Sequence, residues 1–221
     1  LLVMTATPIP RTAAMTWFGD LDISALTELP GGRKPIRTFV VPESNASLMS
    51  EMFALIRKRI DAGELAYVVC PRIDDDSENA DDVLAESATS NSKTTGSPIP
   101  AFDEAYDLGE DDEQRAQRPP LHSVAEIVER LQSLPQFRGI RFATLTGRDD
   151  DTTKSQVMAD FEAGITPILV ATTVIEVGVD VAKASCIVIF DADRYGLSQL
   201  HQLRGRVGRG GTDSGAFLIS R

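Results

Sequence analysis

The feature that most constrains the fold is the alternation of short, uninterrupted apolar runs with longer segments of helical periodicity. Helices are predicted at residues 46–62, 124–134 and 152–163, and from Ser198 onward. Apolar runs, read as strands, lie at residues 36–41, 65–70, 140–145, 168–171, 186–190 and 216–219. Continuously apolar strands that alternate with helices are typical of a parallel sheet covered on both faces. The sequence therefore predicts an α/β fold with a parallel sheet and helices on both faces.

The predicted helix at residues 46–62 has a polar cap and an apolar face at helical spacing. Asn45 or Ser44 is positioned to cap it, because short polar side chains accept hydrogen bonds from the first helical amides. Its inner face is predicted to carry Leu48, Met52, Leu55 and Ile56.

Charge is unevenly distributed along the 221 residues. The net charge is −11, and residues 74–119 hold 14 acidic and 3 basic side chains, so the remainder has 19 of each sign. That stretch is also poor in large apolar residues, which predicts a disordered acidic insertion. Because the rest of the chain is neutral, the overall acidity does not exclude a nucleic-acid partner.

The two cysteines and the hydropathy of the chain limit the cellular compartments in which it can be expected. Cys70 and Cys186 both lie in apolar runs, which predicts buried thiols in a reducing compartment. No apolar run approaches the length of a membrane span, so the sequence predicts a cytoplasmic protein with no membrane partner. The chain opens inside an apolar run without a leader, which is typical of a piece of a longer protein.

Residues 202–211 combine three arginines with four glycines. If the helix continues through them, Gln202, Arg206 and Arg209 share one face. Arginine forks match phosphate oxygens and glycines let backbone approach a ligand, so one interpretation is an arginine pair directed at a polyphosphate. The alternative is a solvated basic helix end, where arginine suits the helix dipole.

Other polar residues follow the carboxyl ends of predicted strands, where α/β sheets bind ligands. Hydroxyls and backbone amides suit phosphate there, and a carboxylate suits a ribose hydroxyl. Glu176 and Asp180 have the alternative of capping or hydrogen-bonding a local turn, and Thr5 and Thr7 that of being ordinary loop residues. The residues are Thr5, Thr7, Gly147, Arg148, Thr172, Thr173, Glu176, Gly178 and Asp180.

Taken together, these motifs resemble those of the superfamily-two helicases. Thr5-Ala6-Thr7-Pro8 resembles their third motif, residues 172–180 the fifth and residues 202–209 the sixth, in the same order. More narrowly, the chain resembles the RecG family of ATP-dependent DNA helicases. That resemblance rests on residues 6–12, Gly19-Asp20-Leu21-Asp22, Glu28-Leu29-Pro30, Gly32-Arg33-Lys34-Pro35 and residues 200–209.

The resemblance implies a role for each group of residues. Arg206 and Arg209 are expected to reach the γ-phosphate of ATP, as arginine fingers do. Thr5 and Thr7 are expected to couple nucleotide state to DNA grip. Nucleotide contact or coupling is implied for Gln202, Glu176, Gly178 and Asp180, and DNA-backbone contact for Thr172, Thr173, Gly147, Arg148 and Lys154. Asp149, Asp150 and Asp151 place acidic side chains beside the expected DNA contact at Gly147 and Arg148.

The sequence holds no Gly-x-x-x-x-Gly-Lys-Ser/Thr loop and no acidic box delivered by an apolar strand. Residues 36–221 are therefore expected to be the second RecA-like domain of a motor, with residues 1–35 the tail of the first domain and a linker. ATP and Mg²⁺ are then expected to be bound mainly by the first RecA-like domain of the same chain. The expected partners of residues 36–221 are that first domain and branched or double-stranded DNA. No metal site is expected in these residues, and the isolated chain is expected to be inactive.

Two alternative functions remain. The transcription-repair coupling translocases share the Thr-Pro-Ile-Pro-Arg-Thr and Gln-Leu-Arg-Gly-Arg elements. A module that binds nucleic acid without hydrolysing ATP belongs to a different class, and ATPase measurements separate it from a motor.

Overall fold

Six parallel strands form one sheet in a computed structural model that describes residues 34–71, 121–173 and 181–221. The strand order across the sheet is β1-β6-β5-β2-β4-β3, with every pair parallel. The strands are β1 (Ile36–Pro42), β2 (Leu65–Val69), β3 (Phe142–Leu145), β4 (Ile168–Ala171), β5 (Ala184–Ile189) and β6 (Ser214–Ser220). The predicted α/β class is confirmed.

Within the described residues, four helices connect the strands: α1 (Ala46–Asp61), α2 (Val124–Ser133), α3 (Asp151–Glu162) and α4 (Leu197–Arg204). Short 3₁₀ turns at Pro135–Phe137 and Ala192–Arg194 follow α2 and β5. Helices α1 and α2 share a core with one face of the sheet. On the other face, Phe161 of α3 lies against Tyr67 of β2, with ring centroids 4.9 Å apart. The two central strands β2 and β5 are buried along their whole length, as continuous apolar runs predict.

Side-chain caps begin three of the helices. The Asn45 side chain accepts a hydrogen bond from the Leu48 amide at 3.1 Å, which confirms one of the two predicted caps of α1. Ser123 caps α2 in the same way, and Asp150 caps α3. Each cap satisfies an amide that has no partner inside its own helix.

The predicted inner face of α1 was partly wrong. Met52 and Ile56 are buried, but Leu48 is 41% exposed and Leu55 is 38% exposed. The buried stripe is displaced around the helix and consists of Met49, Met52, Phe53, Ile56 and Ile60. Two large residues, Phe53 and Ile60, set this phase, since burying them removes more apolar surface from water than burying the two leucines.

All described residues belong to one compact unit, Leu29–Ala80 with Leu121–Arg221. Within the described ranges, no helix is long and apolar enough to cross a membrane.

Candidate functional site

Helix α4 ends earlier than the arginine pattern predicted. It closes at Arg204, and Gly205 forms its C-cap by donating its amide to the His201 carbonyl at 3.1 Å. The prediction that Gln202, Arg206 and Arg209 share one helical face was therefore wrong. Glycine at position 205 favours helix termination because its backbone loses more freedom on ordering than any other residue.

Arg206 and Arg209 instead belong to an irregular segment, residues 205–213, called the arginine loop below. Val207 is completely buried, so this point of the loop is fixed against the protein interior. The Gly208 amide donates to the carbonyl of Ala184, the first residue of β5, at 3.3 Å. Since Ala184 starts its strand, the arginine loop lies at the amino ends of the strands.

Glycine at position 210 is required by a close approach of two backbone segments. A Cβ atom there would lie 2.2 Å from the Ala182 carbonyl oxygen, and a backbone atom cannot move aside cheaply. Gly208 has φ +79°, in the left-handed region that glycine adopts without strain. These two glycines let the loop pack closely against Ala182, just before β5, and against Ile36 at the start of β1.

We expect Gly210→Ala to lower the free energy of unfolding by about 1–3 kcal/mol, because the loop must leave its packed position. Chemical denaturation of the purified chain measures this. Gly147→Ala is the matched control, since a Cβ at Gly147 meets nothing within 4 Å and stability should change by less than about 0.5 kcal/mol. Equal stabilities for the two variants would contradict the packing described for the loop.

The arginine loop presents guanidinium groups beside backbone that has no bulky side chains. Arg209 is exposed, and its Nε donates to the Gly205 carbonyl at 3.2 Å, which directs the side chain along the loop. Arg206 and Gln202 are partly buried. Planar cationic forks next to glycine backbone are suited to phosphate oxygens.

The opposite, carboxyl edge of the sheet carries the second group of predicted residues. Thr172 directly follows β4, is 5% exposed and donates its amide to the carbonyl of Leu145, the last residue of β3, at 3.2 Å. Gly147 lies two residues after β3 with open space around it. The ends of β3 and β4 thus bring Thr172 and Gly147 to one edge, as predicted from their positions after strands.

The acidic side chains after Gly147 are engaged in local structure. Asp149 Oδ2 accepts from the amide and the hydroxyl of Thr146 at 2.6 and 2.9 Å, which shapes the turn after β3. Asp150 accepts from the Thr153 amide at 2.6 Å, and the hydrogen bonds from Thr153 hold its pKa below the usual range. Asp151 lies 3.8 Å from Lys154 Nζ.

A buried charge cluster that the sequence interpretation missed lies on the same carboxyl edge, beyond β5, β6 and β1. Asp191, which follows β5, is 2% exposed and adopts φ 50°. Its Oδ2 accepts from the His122 amide at 2.8 Å and lies 2.9 Å from His122 Nδ1. Its Oδ1 lies 2.8 Å from Arg221 Nε. The Glu43 carboxylate, after β1, completes the cluster 3.2 Å from His122 Nε2.

The cluster shifts the pKa values of its members. Burial alone lowers the pKa of His122, but the hydrogen bond to Asp191 and the negative charges of Asp191 and Glu43 outweigh burial and the opposing charge of Arg221, so the net shift is upward. Burial raises the pKa of Asp191, but the hydrogen bonds from His122 and the charges of His122 and Arg221 bring it below the usual range. Both shifts favour the ionised pair.

A sequence signal for this cluster existed. Glu43, Asp191 and Arg221 each stand within two residues after an apolar strand, and His122 is one of only two histidines in the chain. What the sequence lacked was the strand order that makes β1, β6 and β5 neighbours.

Several candidate residues lie outside the described residues. These are Thr5, Thr7, Glu176, Gly178 and Asp180, together with the acidic stretch at 74–119. The segment 174–180 nevertheless connects two described points, because Thr173 follows β4 at the carboxyl edge and Val181 precedes β5 at the amino edge.

A concave cavity of about 300 Å³ lies away from all of these residues, between the end of α2 and the start of β3. Leu134, Phe137, Ile140 and Phe142 line it, and none of the candidate site residues does. Among the described residues, no three His, Cys, Asp or Glu side chains are grouped to hold a metal ion. Asp213, the one carboxylate of the arginine loop, lies 3.1 Å from Lys34 Nζ, so the loop does not fit a resident divalent cation.

Comparison with known proteins defines the class. Residues 120–211, which include α2 to α4 and most of the arginine loop, match the helicase conserved C-terminal domain. A structure of S. cerevisiae Dbp5 bound to RNA and ADP BeF3 aligns with 97% of this chain and 43% of its own at 13% identity and a TM-score of 0.52, which supports the fold alone.

Sequence similarity over the whole chain extends to RecG helicases of several bacteria. ATP-dependent DNA helicase RecG of Mycobacterium tuberculosis strain H37Rv is 42% identical over all 221 residues, and that of Bacillus subtilis strain 168 is 37% identical over the same length. RecG of Thermotoga maritima is 36% identical over 218 residues. Along its whole length the chain is thus similar to RecG helicases. It spans about a quarter of the length of these relatives, 25%, 26% and 22% respectively.

Proposed function

We propose that this chain is the second motor domain of an ATP-driven DNA translocase that remodels branched DNA such as stalled replication forks. The observation that carries the proposal is the similarity to RecG helicases, which extends over the whole chain, including the arginine loop. In this proposal residues 36–221 form the second RecA-like domain, and residues 1–35 are the tail of the first domain and a linker.

The proposed nucleotide site is divided between two domains. Arg206 and Arg209 place positive charge at the amino edge of the sheet, where it offsets negative charge that develops on a transferring γ-phosphate. The arginine loop has no free carboxylate for Mg²⁺, because its Asp213 pairs with Lys34. ATP with Mg²⁺ would be bound mainly by the first motor domain, where the metal would neutralise phosphate charge. Gln202, Glu176, Gly178 and Asp180 would contribute contacts or coupling.

The proposed DNA site lies at the other end of the strands. The open backbone at Gly147, with Arg148 and Lys154 beside it, suits a phosphate backbone, and Thr172 and Thr173 follow the neighbouring strand. Such contacts give affinity without reading bases, which a translocating motor requires.

The two edges have a direct covalent link in the segment 174–180, which begins after Thr173 at the DNA edge and ends before Val181 at the arginine edge. We propose that this segment couples DNA contact to nucleotide contact within the domain, while Thr5 and Thr7 couple the two domains.

We expect the purified chain to show no DNA-stimulated ATP hydrolysis, because its sequence contains no phosphate-binding Gly-x-x-x-x-Gly-Lys-Ser/Thr loop. Phosphate release is measured with the chain alone and with a full-length RecG-type protein that carries it, each with and without fork DNA. Hydrolysis only by the longer protein supports the proposal. Hydrolysis by the chain alone contradicts the divided site, and hydrolysis by neither supports a module that only binds nucleic acid.

A further inference from the structure

We propose that Arg59 is a positioning residue that fixes the exit of the arginine loop, at Asp213, and so determines the positions of Arg206 and Arg209. The inference rests on the proposed function for its catalytic consequence. The contact that it assigns to Arg59 can be tested without any catalysis.

Arg59 comes from a distant part of the chain. It lies in the last turn of α1, and its side chain is only 18% exposed. Its Nη1 donates to the carbonyl oxygen of Asp213, the last residue of the arginine loop, across 154 residues of sequence. The same nitrogen lies 3.3 Å from Glu64 Oε2, which holds the guanidinium in place at the amino edge of the sheet.

The arginine loop needs such an anchor because of its composition. Residues 208–211 read Gly-Arg-Gly-Gly, and Gly208 and Gly211 have φ +79° and +72°. A segment with three glycines in four residues has a high conformational entropy when it is not held from outside.

Each part of the loop has a different holder. Its entry is fixed by the C-cap of α4, and its middle by the Gly208 amide bound to Ala184 at 3.3 Å. Its exit is fixed by Arg59, by the pair between Lys34 and Asp213, and by Ser214 Oγ, which donates to the Thr212 carbonyl at 3.2 Å. The side chains of that pair are 53% and 66% exposed, and exposed pairs of this kind contribute little. Of the two side chains that contact Asp213, Arg59 is therefore the main holder, and it acts on the last loop residue before β6 begins at Ser214.

The position of the loop matters for a group that acts on a transition state. Arg209 stands four residues before Asp213, with only glycines and a threonine between them. An exit that is free to move displaces Arg209, and misplacement by about 1 Å of a positioning group can cost up to a hundredfold in rate.

The test uses Arg59→Met, which keeps the length of the side chain and removes the donor, and Lys58→Met as the matched control. Lys58 is the preceding residue on the same helix, carries the same charge and is exposed. Hydrogen exchange of the purified chain is measured for a peptide covering residues 205–213 and for one covering α1. In Arg59→Met, we expect exchange in the loop peptide to rise about tenfold, with α1 protection unchanged. Lys58→Met and Arg59→Lys should exchange like the original chain.

The catalytic arm uses the same variants in a full-length RecG-type protein that carries the chain. Arg59→Met should lower kcat at least tenfold with little change in the KM for ATP, and Arg59→Lys should restore most of the loss. Unchanged loop exchange in Arg59→Met overturns the inference whatever the ATPase does. A loosened loop with normal kcat in both Arg59→Met and Arg209→Ala upholds the anchor and overturns the arginine-finger part of the proposed function instead.

Discussion

Asp191→Ala is expected to lower the free energy of unfolding of the chain by about 3–5 kcal/mol, because it removes one partner from a buried ion cluster. The Asp191 carboxylate is 2% exposed and accepts from the His122 amide at 2.8 Å. It also pairs with Arg221 Nε at 2.8 Å. Without it, a buried amide and a partly buried guanidinium lose their acceptor at the same time. Chemical denaturation at neutral pH measures the loss.

Asp193→Ala is the matched control for that variant. Asp193 lies two residues further along the same turn, its side chain is 51% exposed, and it lies 3.8 Å from Arg194. Removal of an exposed pair should change stability by less than about 1 kcal/mol. If Asp191→Ala were no more destabilising than Asp193→Ala, the cluster would not stabilise the fold.

The pH dependence of stability provides an independent check on the same cluster. The pKa of His122 is raised in the folded chain, so its contribution is fully present below the ordinary histidine pKa of about 6.5. That contribution is lost as pH rises through the raised folded value. Asp191 has a lowered pKa, so its contribution is present above its ordinary value and is lost only in more acidic solution, as pH falls through the folded value. In Asp191→Ala, the loss of stability above pH 6.5 should largely disappear.

The strands were predictable from the sequence because buried strands consist of uninterrupted runs of apolar residues. Residues 168–171 form β4 as predicted, and the other five strands differ from their predicted bounds by at most two residues at either end. Strand ends are set locally by glycine, proline and polar residues, so that a single sequence contains the necessary signal.

Helix phase and helix ends were less predictable. Leu48 and Leu55 are apolar and correctly spaced, yet Phe53 and Ile60 define a stripe that buries more surface. At the other end of the chain, arginine is a good helix former and the spacing of Arg206 and Arg209 fits a helix, but Gly205 ends α4. In both cases tertiary packing or one glycine outweighs a local periodicity.

The relative placement of the candidate residues depends on topology and could not be read from spacing. Helix α4 carries the chain from Asp191 at the carboxyl edge to Gly208 at the amino edge, so the arginine loop lies at the opposite end of the sheet from Gly147. The partners of Asp191, His122 and Arg221, are 69 and 30 positions away in the sequence. Only the strand order brings these residues together.

In the proposed function, the arginine loop is half of an ATP site whose phosphates are held by another domain. In a full-length RecG-type protein that carries this chain, Arg209→Ala should lower the DNA-stimulated kcat by about 10³-fold or more. The KM for ATP should change little, because the guanidinium offsets charge that develops only in the transition state.

The control for this variant is Lys183→Ala, which removes an exposed positive charge beside Ala182, the residue against which Gly210 packs. A general loss of positive potential at the amino edge would affect both variants, whereas a specific contact to the γ-phosphate affects only Arg209→Ala. Lys183→Ala should keep kcat within about threefold of the original value.

The decisive measurement is therefore the steady-state ATPase rate of Arg209→Ala against ATP concentration at saturating fork DNA, with nucleotide binding measured separately by a fluorescent ATP analogue. We expect retained nucleotide binding and abolished turnover. Turnover equal to that of the original protein, or a loss confined to nucleotide affinity, would contradict it.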